Sequence, residues 1–178
     1  MEFKEHLKES ERFLSGKFHY DEKDQGENAL RNTVERFLAA SDKLDQYKKL
    51  KYYGRELSPE LTKEEHQMSV QQFERAPEDG AEKLLHAAIG IATESAELLE
   101  VLYKSKWNGE QFDVFNCKEE IGDLFFFFSI IFRELDLDLN EILANNIKKL
   151  DKRYDKEFSE EAANNRDLKA EREILEGK

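Results

Sequence analysis

The sequence predicts an all-α fold, an antiparallel bundle of long helices. Three observations carry that expectation. Among 178 residues there are two prolines, Pro59 and Pro77, and eight glycines, so few positions break a helix. Apolar residues in the middle and end of the chain recur at three and four, the period of a buried helix face. Helix-start signals stand before the apolar runs: Ser, Thr, Asp or Asn, several of them followed three residues on by Glu. A chain of this length buries a core without disulfides or structural metals.

Taken in order, a first helix is expected near 2–15, followed by a polar turn from Gly16 to Gly26. A second helix spans about 27–50, and Tyr52-Tyr53-Gly54 and the Ser58-Pro59 break follow it. Thr62 with Glu65 reads as a capping box for a helix near 63–75, which ends before Pro77. Asp79 with Glu82 opens the next helix, to about Tyr103. Its core stripe is read as Leu84, Ala88, Ile91, Ser95, Leu98 and Leu102. A polar loop runs from Lys104 to about Asn116, and Asn116 with Glu119 reads as the following cap. The helix beyond carries Ile121, Leu124 and four consecutive phenylalanines, Phe125 to Phe128. Such a run covers every side of a helix and predicts burial all round, or one face set in a subunit interface. Asp138 with Glu141 starts another helix, lined by Leu139, Leu143, Ile147, Leu150 and Tyr154. Ser159 caps a short last one.

Charge excludes some functions. The net charge is −12. An acidic chain repels nucleic-acid backbones and anionic membrane surfaces. The longest apolar stretch, Ile121 to Phe132, is too short to span a bilayer and is interrupted by Asp123. No apolar signal segment follows Met1, and a single cysteine, Cys117, forms no intrachain disulfide. A cytoplasmic protein is expected. There is no phosphate-binding glycine loop, no dinucleotide fingerprint, no zinc motif and no complete calcium loop.

The acid is concentrated in the most hydrophobic part. Residues 81–147 hold 5 basic and 13 acidic side chains. Glu94 and Glu97 are spaced i, i+3 and share a helix face. Glu120 and Asp123 repeat the spacing, and Asp123 is the only charge between Ile121 and Phe132. A bare carboxylate there is disfavoured by desolvation. Two such pairs can converge in a bundle core, where like charges raise one another's pKa. A hard divalent cation relieves this, Mg²⁺ or Mn²⁺ by preference, as one ion or two. The plainer alternative is a solvated acidic face, which is how Glu82, Glu100, Glu110, Glu119, Glu134 and Glu141 read.

The stretch from His86 through Thr93-Glu94-Ser95-Ala96-Glu97-Leu98, then Glu119-Glu120-Ile121-Gly122-Asp123, resembles the MazG-like nucleoside triphosphate pyrophosphohydrolases. These belong to the all-α NTP pyrophosphatase superfamily. Their signature is E-E-x-x-E, a variable gap, then E-x-x-D. Glu94, Glu97, Glu120 and Asp123 match it, and Thr93 stands where the first acid belongs. The resemblance covers about residues 65–175. It implies a catalytic helical domain over 61–178, with residues 1–60 as an N-terminal helical extension in which no chemistry is evident.

What the resemblance implies is specific. The reaction would cleave a nucleoside triphosphate, ribo or deoxy, between its α- and β-phosphates, giving the monophosphate and pyrophosphate. Glu94, Glu97, Glu120 and Asp123 would hold Mg²⁺ or Mn²⁺, with Glu94 or Glu97 orienting or deprotonating the attacking water. Asn146, Lys149 and Arg153 would contact the triphosphate, within a basic cluster of Lys148, Lys149, Lys152, Arg153 and Lys156. The alternative is that these cations complement a helix C-terminus. His86, two turns before Glu94, would touch base or sugar, or else pack as a core histidine. Tyr103, Trp107 and Phe112 can stack on a base or cover the bundle end. A homodimer or homotetramer is implied. Narrower substrates such as dUTP, dCTP or phosphoribosyl-ATP stand as alternatives, and so does a non-catalytic helical adaptor that kept the fold.

Overall fold

A computed structural model describes residues 1–14, 25–59, 79–155 and 157–177. Among these residues there are helices and no strand. They are α1 (Phe3–Glu11), α2 (Gln25–Tyr53), α3 (Asp79–Asn108), α4 (Val114–Glu134), α5 (Leu139–Tyr154), α6 (Glu160–Asn164) and α7 (Leu168–Leu175). None is long and apolar enough to cross a membrane. The Thr62 capping box, the helix expected near 63–75, most of the Gly16–Gly26 turn, and Lys156 lie outside the described residues.

The helix ends follow from local chemistry. Gly54, at φ +65°, closes α2 by donating its N–H to the Leu50 carbonyl, and Arg55 N–H reaches the Lys49 carbonyl. The helix α3 runs past the expected stop at Tyr103. Its last turn is held to α2, where the Trp107 indole N–H donates to Glu27 at 2.9 Å and Lys106 pairs with the same carboxylate at 2.6 Å. Gly109, at φ +72°, then turns the chain. The cap of α4 is Asp113, three residues before the expected Asn116. Its carboxylate accepts the N–H groups of Phe115 and Asn116, both at 3.0 Å. Asp138 and Ser159 cap α5 and α6 as expected. The helix α7 lies beyond the last helix that the sequence predicts; Asp167 caps it by accepting from Ala170 N–H.

The chain forms two compact units. One comprises Met1–His19 and Asp136–Lys178, the other Tyr20–Leu135. This division differs from the expected boundary after residue 60, because α2 packs along α3 as α3 packs along α4.

In the unit 20–135, the buried side of α3 is turned from the stripe expected of it. The buried positions are Ala87, Gly90, Thr93, Glu94, Ala96, Val101 and Tyr103, whereas Ala88, Ser95 and Leu102 are exposed. The reason is close approach. Gly90 lies under the Phe127 ring of α4, and a Cβ there would sit 2.4 Å from ring carbons. Small residues let the helices meet, while the larger aliphatics flank the contact. The phenylalanine run is also not buried all round. Phe127 is in the core, but Ile121, Phe125, Phe126 and Phe128 are exposed.

The second unit is built on α5. Ile147 is buried, with Leu139, Leu143, Leu150 and Tyr154 half-buried on the expected side. Phe13 packs on Tyr154, and Tyr154 on Phe158, at ring separations of 5.7 and 5.5 Å. Arg12 pairs with Asp151 at 2.6 Å. Glu171 of α7 is buried and receives both Arg153 and Arg166, whose Nη2 atoms lie 2.7 Å from its Oε2.

Candidate metal centre

The four expected carboxylates come together in the unit 20–135. Their helix spacing puts Glu94 and Glu97 on one turn of α3, facing Glu120 and Asp123 on α4. One oxygen each from Glu94, Glu120 and Asp123 lie within 4.8 Å of one another. A second group of the same tightness is Asp45, Glu94 and Glu97. Glu94 belongs to both.

Asp45 comes from α2, a segment in which the sequence showed no chemistry. Lys48 and Lys49 accompany it at i+3 and i+4, and that spacing on one helix face is the signal that could have found them. Lys48 is only 3% exposed. Its ammonium donates to Thr93 Oγ1 and to Glu94 Oε1, each at 2.7 Å. It also lies 3.0 Å from Asp45 Oδ1, an ion pair outside hydrogen-bond angles. Lys49 pairs with the other Asp45 oxygen. Thr93 is fully buried and donates back to the Gly90 carbonyl at 3.0 Å.

The electrostatics divide the cluster. Burial alone would lower the Lys48 pKa, but contact with Glu94 and Asp45 outweighs it and the net shift is upward. Burial would raise Asp45, but the two lysines hold it below its ordinary value. Glu97 is pushed up by burial and by the charges of Glu94 and Asp45. Glu120 moves furthest. Burial, then the charges of Glu97, Glu94, Glu119 and Asp123, push it from 4.5 to about 7. Glu120 is 4% exposed, and among the described residues no hydrogen bond or ion pair serves its carboxylate. Glu97, half-buried, and Asp123, which is exposed rather than desolvated as its apolar neighbours suggested, also have no hydrogen bond or ion pair among the described residues. A buried carboxylate without a partner, aimed at two others, is the arrangement a cation corrects. The donors are all carboxylate oxygens, which suit a hard divalent ion.

A cleft of about 490 Å³ between α2 and α3 adjoins the cluster and shares its Asp45 and Glu97. Ser41, Asp42, Lys49 and Glu100 line it as well.

The remaining expected residues are placed as follows. The His86 ring stacks on Tyr52 at 4.0 Å and meets Phe127 edge-on, and its Nε2 lies 3.2 Å from the Tyr53 hydroxyl. This is the packed-histidine arrangement, and burial followed by the Lys48 charge lowers its pKa. Tyr103 and Trp107 are bound to α2, through Glu35 and Glu27 respectively, while Phe112 is exposed. Asn146, Lys149 and Arg153 belong to the other unit. There Asn146 Oδ1 meets His6 Nε2 at 3.3 Å, and Arg153 is committed bidentately to Glu171. Lys149 is half-buried and has no hydrogen bond or ion pair among the described residues.

Comparison with protein families, with curated proteins and with solved structures finds no match.

Proposed function

We propose that the protein is a metal-dependent nucleoside triphosphate pyrophosphohydrolase, acting on ribo- or deoxynucleotides and releasing the monophosphate and pyrophosphate. The observation that carries the reading is Glu120, a buried carboxylate with no hydrogen bond or ion pair among the described residues, which faces Glu94 and Asp123. In this reading Glu94, Glu120 and Asp123, with Glu97 beside them, hold Mg²⁺ or Mn²⁺. The bound ion would supply charge neutralisation for the phosphates and a lowered pKa for a water molecule. Glu97 is the group suited to take that water's proton. It is half-buried, has no ion pair among the described residues, and its pKa is raised toward the working range of a general base. The adjoining cleft has the volume of a small-molecule site. Its acidic lining suits the nucleoside end of a substrate better than the polyphosphate end.

Asn146 and Arg153 already have partners within their own unit. The exposed aromatic face of α4 supports the homo-oligomer that belongs to the same reading, and light scattering would measure it. A cytoplasmic location is part of the same proposal.

The test is incubation with a panel of NTPs and dNTPs, with Mg²⁺ or with chelator. The products are separated as monophosphate plus pyrophosphate or diphosphate plus phosphate, and Glu120→Gln is the control. Metal-dependent pyrophosphate release, lost in the variant, is the expected result. No turnover on any nucleotide by the folded protein would reject the enzyme reading. It would favour the non-catalytic helical protein, for which one observation speaks: Thr93, at the first acidic position of the signature, is bonded to the buried Lys48.

A further inference from the structure

The acids of the cluster fall into two overlapping groups, Asp45–Glu94–Glu97 and Glu94–Glu120–Asp123. Asp123 of the second group is exposed, and the groups also differ in the cation already present. In the first, a cation of the chain itself is already present: the Lys48 ammonium lies 2.7 Å from Glu94 and 3.0 Å from Asp45, and is 3% exposed. In the second, Glu120 is nearly as buried and has no hydrogen bond or ion pair among the described residues.

We infer that Lys48 is a built-in cation that takes the place of a metal ion in the first group, so that the chain binds one divalent ion, at Glu94, Glu120 and Asp123. The inference rests on the metal-dependent reading above and specifies its stoichiometry. The packing explains why Lys48 does not simply leave. Its ammonium has three oxygen partners, and the Phe127 ring lies 5.1 Å from it. Swinging out would leave Asp45 and Glu94 buried with one cation fewer, a costly arrangement. Thr93 completes the device. A carboxylate at that position would add a sixth negative charge to the cluster; the hydroxyl instead accepts from Lys48 without adding charge. Charge is thus set for one divalent ion beside one ammonium. A single ion would clamp fewer phosphate oxygens than two, so the remaining neutralisation falls to basic side chains.

The experiment counts ions. The full chain is stripped with chelator and dialysed against Mn²⁺, and bound manganese is measured per chain for the native protein and Lys48→Met. Electron paramagnetic resonance distinguishes isolated ions from a coupled pair. The expected result is one ion per chain in the native protein, with the signal of isolated Mn²⁺. Lys48→Met should bind two, with a coupled spectrum, as the vacated group Asp45, Glu94 and Glu97 accepts the second. Two ions in the native protein, or one in Lys48→Met, would overturn the inference and leave the metal-dependent reading standing. No ion in the native protein would overturn both. If Lys48→Met does not fold without metal, its helical circular dichroism is followed as Mn²⁺ is added. Recovery, with two ions bound, supports the inference; no recovery overturns it.

Discussion

Glu120→Gln tests the electrostatics of the cluster most directly. In the native chain Glu120 is 4% exposed and its pKa is raised from 4.5 to about 7, first by burial and then by four neighbouring carboxylates. An acid whose folded pKa lies above its unfolded one binds its proton more tightly when folded. Stability is therefore undiminished by this group below pH 4.5 and is lost as pH rises from 4.5 to 7. The shift corresponds to roughly 3 kcal/mol lost by pH 8. Gln keeps the shape and removes the charge, so the variant should escape that loss. In chelator at pH 8, Glu120→Gln should melt higher than the native protein by on the order of 10 °C, and the two should converge near pH 5. Trp107 is the only tryptophan and lies in the same unit, so its fluorescence reports the relevant transition. Adding Mn²⁺ should reverse the order, because only the native protein keeps the full ligand set. Parallel pH profiles for the two proteins, or a variant that melts lower at pH 8 without metal, would refute the claim that Glu120 is held at a cost to the fold.

Other expectations follow from the packing. Gly90→Ala should destabilise the unit 20–135 by about 1–3 kcal/mol, since its Cβ would strike the Phe127 ring and that penalty exceeds the gain in helix propensity; a variant at least as stable in denaturant titration would argue against the close contact. Glu171 is held at about 2 by its hydrogen bonds to Arg153 and Arg166, so its contribution is present above pH 4.5 and fades as pH falls toward 2. Glu171→Gln should lower the stability of the unit containing α7 by roughly 3 kcal/mol at pH 7, with a flattened acid limb; an unchanged acid titration would contradict it. Asp113→Ala removes the cap of α4 and should cost about 1 kcal/mol, read as lower helicity at intermediate denaturant.

Much of the secondary structure is legible in the residues themselves. Asp138 and Ser159 cap helices because their oxygens reach the free N–H groups of a first turn, a relation confined to a few residues. The pairs Glu94–Glu97 and Glu120–Asp123 share faces for the same local reason. The cap at Asp113 and the helix α7 are harder to read. Several polar residues near each start can serve, and besides Ala170 α7 carries only Leu168, Ile174 and Leu175 as apolar side chains.

The interior of the site was decided elsewhere. The i, i+3 spacing of Asp45 and Lys48 puts them on one helix face, but it reads as an ordinary exposed ion pair until α2 lies against Thr93 and Glu94. The stripe read for α3 followed side-chain size, while the burial followed Gly90 and the ring of Phe127, an approach set by both helices together. Four phenylalanines in a row state hydrophobicity but not direction; one of them is in the core and three are exposed. The chain alone thus determines which segments are helical and which acids share a face, because those depend on neighbours three and four residues away. Which acids meet, which of them a lysine serves, and which is left without a partner depend on distances between helices, and only the tertiary structure supplies those.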